Sequence, residues 1–221
     1  MRERARSEED KTQRSEDLLA AAEAIALERG GVRYVTIAEV TDRVGLHRTG
    51  VRRYYASKEE LLLELAERGW RQWAEAVKAR FSGLIGLAPK DLATVLASTI
   101  VTLPVFCDLL THVAIRLEGD VDVERARRYK SSAFAASDEI VAELVRAGTL
   151  DVDRASQLSA AAGIMAGSLW QVAHPTPTLA GLYAQEPQWA HVALDFEPRL
   201  TRFLQAFAVG LSHEASAQTP A

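Results

Sequence analysis

The chain has 221 residues, enough for one large domain or two small ones. Its 48% hydrophobic and 25% charged content excludes disorder throughout, and no run of about 18 apolar residues offers a membrane span. The single cysteine, Cys107, excludes an internal disulfide framework and a cysteine-only zinc site, and the charged N-terminus lacks the apolar stretch of a secretory signal, so a cytoplasmic location is the expectation.

Residues 1–13 are charged and poor in apolar side chains, and read as a flexible arm. From about Arg14 to Arg29, Leu18, Ala22 and Ile25 recur at four- and three-residue steps, the spacing of one helix face. Gly30-Gly31 stops that helix. Thr36 with Glu39 forms a capping box for the next one, whose inner face is Ile37, Val40, Thr41 and Val44. Gly45 breaks it. A third short helix is expected from about His47 to Tyr54. Ser57 with Glu60 is a second capping box and opens a long helix from Lys58 to about Phe81. Ser82-Gly83 and Pro89 bracket a loop. A helix follows from Asp91 to Leu103, and Pro104 either starts a new helix or kinks this one before Leu117. Asp122 caps a helix to Arg146, and Asp151 caps another to about Val172. A Pro-bounded loop holds a short helical piece at 179–183. The last helix runs from about Asp195 to Leu211, and a polar tail occupies 215–221. The reading is all-α, with roughly nine helices.

Charge is unevenly spread. The net value of −4 and the acidic pI of 5.8 argue against a nucleic-acid partner for the chain taken whole. Yet between Arg33 and Lys58 six Lys/Arg face two Asp/Glu, a local +4, while from Leu61 onward 14 Lys/Arg face 18 Asp/Glu. A basic segment on an acidic body fits a polyanion-binding module joined to something else. Three short helices with a tight Gly turn before the third make a helix-turn-helix. Thr41, Gly45, Leu46 and Val51 suit its crossing point. His47, Arg48, Thr49, Gly50, Arg52 and Arg53 are too polar to serve packing alone, and a helix carrying them can enter the major groove, where Arg reads guanine bidentately.

In its ordered motifs the segment 15–65 resembles the tetracycline-repressor (TetR) family of transcriptional regulators. The matching residues are Leu18-Leu19-Ala20-Ala21-Ala22, Glu28-Arg29-Gly30, Val35-Thr36-Ile37-Ala38, Val44-Gly45-Leu46 and Tyr54-Tyr55-Ala56-Ser57-Lys58-Glu59-Glu60-Leu61. The resemblance implies an N-terminal DNA-binding domain, 14–60, and a larger ligand-binding and dimerisation domain, 61–214. It implies that Thr36 caps its helix and touches phosphate, that Lys58 contacts phosphate, and that Tyr54 and Tyr55 pack the DNA-binding domain. His47 and Arg52 depart from the family's usual residues, which leaves the operator sequence open.

The larger domain spreads Trp70, Trp73, Phe106, His112, Tyr129, Phe134, Met165 and Trp170 over several helices. Apolar walls with a few polar groups build a small-molecule pocket, although an ordinary helical core uses the same residues. The resemblance implies an inducer cavity here. It also implies that the helix carrying Gly163 and Gly167 and the helix carrying Leu200, Phe203 and Phe207 pair with their symmetry mates in a homodimer. No His-Glu-x-x-His, Gly-x-Ser-x-Gly or Walker-type loop is present, so no enzyme activity and no cofactor or metal are expected. Arg2, Arg4 and Arg6 suggest a minor-groove arm only weakly, because Glu3, Glu8, Glu9 and Asp10 dilute their charge. The sequence therefore points to a ligand-responsive regulator, most simply a repressor released from a palindromic operator by a small hydrophobic or amphipathic molecule. An architectural DNA-binding protein without a ligand and a transcriptional activator are the alternatives.

Overall fold

The structure, a computed structural model, describes residues 2–47, 49–192 and 195–217, with side chains from 10 to 213 save Val192. Arg48 therefore lies outside the described residues, as do the side chains of Arg2, Arg4 and Arg6. Among the described residues the chain is all-α. Its helices are α1 (Arg2–Arg29), α2 (Ile37–Arg43), α3 (Lys58–Phe81), α4 (Pro89–Ile100), α5 (Pro104–His112), α6 (Val123–Ala147), α7 (Val152–Ala173), α8 (Pro177–Gln185) and α9 (Phe196–Ala217).

Caps explain most of the starts. The side chains of Thr36, Ser57, Asp122 and Asp151 each accept the backbone N–H three residues on, satisfying an orphan donor of the first turn. Where no such residue exists, Pro begins the helix, as at Pro89 and Pro104, because its missing N–H costs nothing there. Pro104 thus opens a new helix, and α4 and α5 meet at 93°. After His112 the chain makes one wide π-type turn, Val113–Leu117.

Three expectations change. Residues 2–13, read as an arm, continue α1; they contain no Gly or Pro and are rich in strong helix formers, so nothing stops the helix. Residues 215–217, read as the start of the polar tail, continue α9, which runs to Ala217. The third helix expected over 47–54 shrinks to a turn and a single 3-10 turn, Val51–Arg53. Thr49 and Gly50 are poor helix formers, and the His47 side chain competes for the local backbone: its Nδ1 lies 2.9 Å from Thr49 Oγ1 and 3.4 Å from the Thr49 N–H.

Two apolar cores result. One joins α1 and α2 to the start of α3, through Leu18, Ile25, Val40, Val51 and Leu61, and it continues into Leu109, Val113 and Leu117. The other fills the body between α3, α4, α6, α7 and α9, around Trp73, Phe81, Leu96, Ile140, Leu158 and Leu204. Helix α3 crosses residue 60 unbroken, and the first core takes side chains from both sides of that expected boundary. No single described helix is long and apolar enough to cross a membrane; α4 and α5 pass on composition only as a bent pair, and most of their apolar side chains are in the two cores.

Candidate nucleic-acid interface and effector site

The basic segment is built on buried small groups. Thr41 is fully buried and its hydroxyl donates to the carbonyls of Ile37 and Ala38, so it closes on its own helix instead of seeking water. Gly45 has φ 65, the left-handed region that glycine enters at no steric cost, and the Leu46 N–H then returns to the Thr41 carbonyl at 2.9 Å. Gly50 sits in a tight space for a different reason. A Cβ there would stand 3.0 Å from Leu46 and 3.1 Å from the His47 carbonyl. Val51 is the buried anchor of this turn.

The cations divide into two groups. Arg29 pairs with Glu39 at 2.5 Å, and Arg43 grips both oxygens of Glu28 at 2.8 and 2.6 Å. These brace α1 against α2. Arg52 and Arg53 are exposed and have no carboxylate partner among the described residues. With Arg33, which is also exposed and without a carboxylate partner among the described residues, they carry the free part of the local excess. Thr36 is occupied with Glu39, accepting its N–H and donating to its carboxylate. Lys58 donates to the Arg33 carbonyl at 3.2 Å, and burial, with Arg116 nearby, pushes its ammonium below the ordinary lysine range. It pins the start of α3 to the turn after α1. Tyr54 is half-buried, and Tyr55 is buried with its hydroxyl 2.7 Å from Ser15 Oγ.

In the body, the aromatic residues expected to line a cavity largely fill it. Trp70, Trp73 and Phe106 have ring centroids 5.3–6.2 Å apart. Trp73 donates to Thr99 Oγ1 at 2.9 Å, and Trp70 to the Tyr129 hydroxyl at 3.0 Å. A Cβ on Gly69 would overlap the Phe106 ring, so that glycine sets how closely α5 approaches α3. Burial pushes the Tyr129 phenol up to about 12 and the Cys107 thiol up to about 12. Met165 packs half-buried against the body core. Phe134 is 63% exposed and lines nothing with the others, because it occupies the outer face of α6.

A cavity of about 230 Å³ opens elsewhere, at the joint between the basic module and the body. It is lined by Ala26, Leu27, Gly30 and Gly31 on one side and by Pro104, Val105, Asp108, Trp170 and His174 on the other. Asp108 is buried, and its carboxylate accepts the Val32 N–H at 2.6 Å and the Gln171 amide at 2.7 Å, with His112 Nε2 3.6 Å away. Burial alone would raise this carboxyl; the groups around it, His112, the Val32 N–H and Gln171, outweigh burial and hold it below the ordinary aspartate value. Of the residues expected at a ligand site, only Trp170 reaches this cavity, while His112 sits behind it on Asp108. The rest of the lining comes from the end of α1 with Gly30-Gly31, the first turns of α5 and His174 after α7, segments far apart in the chain that carry no local signal of a site.

The glycines expected at a dimer surface face inward. A Cβ on Gly167 would lie 3.0 Å from Leu110 Cβ and 3.1 Å from Thr111 Oγ1, so this residue sets the α5–α7 crossing; Gly163 faces Trp70. Leu200 is fully buried within the chain's own core. Small residues at a helix crossing read the same in sequence whichever helix they meet. Phe203 is 47% exposed and Phe207 half-buried on α9, and Ile164 and Val172 are exposed on α7.

Residues 67–215 match the family model for the tetracyclin repressor-like C-terminal domain. The chain belongs to the TetR family of transcriptional regulators. The N-terminal motifs and the C-terminal match thus lie on one chain. Among solved structures, a crystal structure of the transcriptional regulator FadR from Bacillus subtilis in complex with stearoyl-CoA is similar in fold. Its TM-score is 0.50 at 13% identity, over 88% of this chain and 97% of that one. No curated protein matches the chain.

Proposed function

We propose that this TetR-family chain is a homodimeric repressor that a small apolar or amphipathic molecule releases from a palindromic operator. The observation that carries the reading is the pairing of free cations with a jointed support. Arg52 and Arg53 stand exposed, without a carboxylate partner among the described residues, on a turn anchored by Val51, and that module rests on the body through Lys58, Asp108 and a shared apolar core. A short reading segment covers few base pairs, so a two-fold dimer with half-sites about 34–36 Å apart supplies the rest of the specificity. The exposed apolar residues Ile164, Val172 and Phe203 on α7 and α9 support pairing through those helices. Thr36, His47, Arg48, Thr49, Gly50, Tyr54 and Lys58 complete the proposed DNA-facing set. The neighbour's stearoyl-CoA has an apolar tail and a polar head; for this chain the class is kept to a small apolar or amphipathic effector.

Release follows from linkage. A ligand that binds the DNA-incompatible arrangement better shifts the population toward it, and 100-fold weaker DNA binding needs about 2.7 kcal/mol of coupling. Operator DNA must then weaken the ligand by the same factor. The test is the affinity of a releasing compound measured with and without the bound duplex. Equal affinities would refute regulation by that compound.

A further inference from the structure

The cavity at the joint has a chemistry of its own. Its walls are apolar at Ala26, Leu27, Pro104 and Val105, with the Trp170 indole stacked on His174 at a centroid distance of 3.6 Å. Asp108 is the only carboxylate or guanidinium in this lining. It is 5% exposed, and among the described residues no Lys or Arg pairs with it. His112 lies 3.6 Å from it and carries charge only when protonated. Gln171 and, at 3.6 Å, His112 face Oδ1 of the carboxylate, while Oδ2 accepts from Val32 alone, so Oδ2 keeps a lone-pair direction for a further donor. His174 Nδ1 donates to the Trp170 carbonyl at 3.0 Å, which leaves Nε2 an acceptor in the neutral ring. A buried carboxylate without a permanent counter-charge is costly, and a cation entering its low-dielectric surroundings is attracted more strongly than in water.

Size limits the occupant. The cavity of about 230 Å³ has room for roughly eight water-sized groups at ~30 Å³ each, about one ring and a charged substituent. Beyond Gly30 it adjoins an outer groove lined by Arg29, Arg33, Tyr34, Glu39 and Pro175. Arg29 is neutralised by Glu39, but Arg33, over the Tyr34 ring at 4.7 Å, is exposed without a carboxylate partner among the described residues, so a longer cation would meet like charge there.

We propose that this joint cavity binds a compact organic cation, an ammonium or amidinium on a single apolar ring, with Asp108 as its counter-charge and Trp170 as its wall. The proposal names an effector class and place for the regulator reading above, on which its regulatory meaning rests. A cation seated on Asp108 shares the carboxylate with the Val32 N–H, so occupancy acts on the contact that joins the basic module to the body.

The test uses the full chain, with benzamidine, phenethylammonium and cyclohexylammonium as probes and benzamide as the neutral counterpart of the first. Calorimetric titration is expected to give saturable binding of at least one cation, about 10-fold or more tighter than benzamide. Asp108→Asn keeps an oxygen for the Val32 N–H and is expected to erase that preference. Leu27→Trp adds bulk to the α1 wall of the cavity at a position already 56% exposed, so it spares the core and is expected to weaken binding. Far-UV circular dichroism checks that both variants fold. No saturable binding of any probe, equal binding of benzamide, or a cation preference that survives in folded Asp108→Asn overturns the site. Duplex DNA binding is measured on the same samples. Normal DNA binding without cation dependence overturns the site and leaves the regulator reading; cation binding without DNA binding does the reverse.

Discussion

Asp108 on α5 accepts the backbone N–H of Val32 at 2.6 Å, across 76 residues of sequence. A side chain of the body thus satisfies the backbone of the turn that follows α1. Asp108→Ala leaves that buried donor, and the Gln171 amide, without a partner, and is expected to destabilise the fold by about 1–3 kcal/mol in urea denaturation. The pH dependence has a definite sign. The folded-state carboxyl lies below its ordinary value, so its contribution is present above about pH 4 and is lost as the pH falls through the depressed value. Asp108→Asn should therefore flatten the acid limb of the stability profile. An unchanged acid limb would remove Asp108 from that role.

The alkaline limb carries the opposite sign. Tyr55 and Tyr129 are both pushed up to about 12, mainly by burial. Their neutral forms favour the fold below about pH 10, and that contribution disappears as pH rises through about 12. Absorbance near 295 nm should show a late tyrosinate component coincident with unfolding, and Tyr129→Phe should reduce it. A Tyr129 that ionises in the ordinary range while the chain stays folded would contradict its packing against Trp70.

Gly167 and the outer face of α7 and α9 should behave differently. Gly167→Leu forces α5 and α7 apart within one chain, and overpacking of this kind costs about 1–3 kcal/mol in thermal or urea unfolding. Ile164→Glu and Phe203→Glu put charge on exposed apolar positions, and should leave the folded monomer intact while shifting sedimentation toward the monomer. Dimerisation lost in Gly167→Leu at unchanged stability would reverse the assignment.

Much of the fold was legible because helix ends are local chemistry. Thr36, Ser57, Asp122 and Asp151 announce their helices by side-chain type alone, and all four cap as expected. The tight turn at Gly45 was equally local. The short reading segment was harder, because Thr49, Gly50 and the His47 ring lower helix propensity by amounts that a three-helix pattern conceals. The pocket was harder still. Trp70, Trp73 and Phe106 have the composition of a binding site, yet their rings meet at 5.3–6.2 Å and occupy the space themselves. Whether aromatic residues line or fill a space depends on inter-helix distance, here set by Gly69, and periodicity does not contain it. The joint cavity depends on Gly31, Asp108 and Trp170 meeting across the chain, which no window of sequence displays.

Lys58 should separate from Arg52 and Arg53 in its salt dependence. Arg52→Ala or Arg53→Ala is expected to cost about 1–3 kcal/mol where the guanidinium reads a base, with relaxed preference at that position. Lys58→Ala should lower affinity similarly for all duplexes and also lower stability, since its ammonium holds the Arg33 carbonyl. Fluorescence anisotropy titrations at several salt concentrations, with thermal melts of the same samples, distinguish the two. Identical behaviour of all three variants would contradict the division.

The most direct measurement is selection of bound sequences from random duplex DNA by the full chain, repeated with Arg52→Ala/Arg53→Ala. Enrichment of a two-fold symmetric sequence with half-site centres about 34–36 Å apart is expected, with loss of that enrichment in the double variant. No enriched sequence, or the same enrichment without both arginines, would contradict DNA reading by this segment.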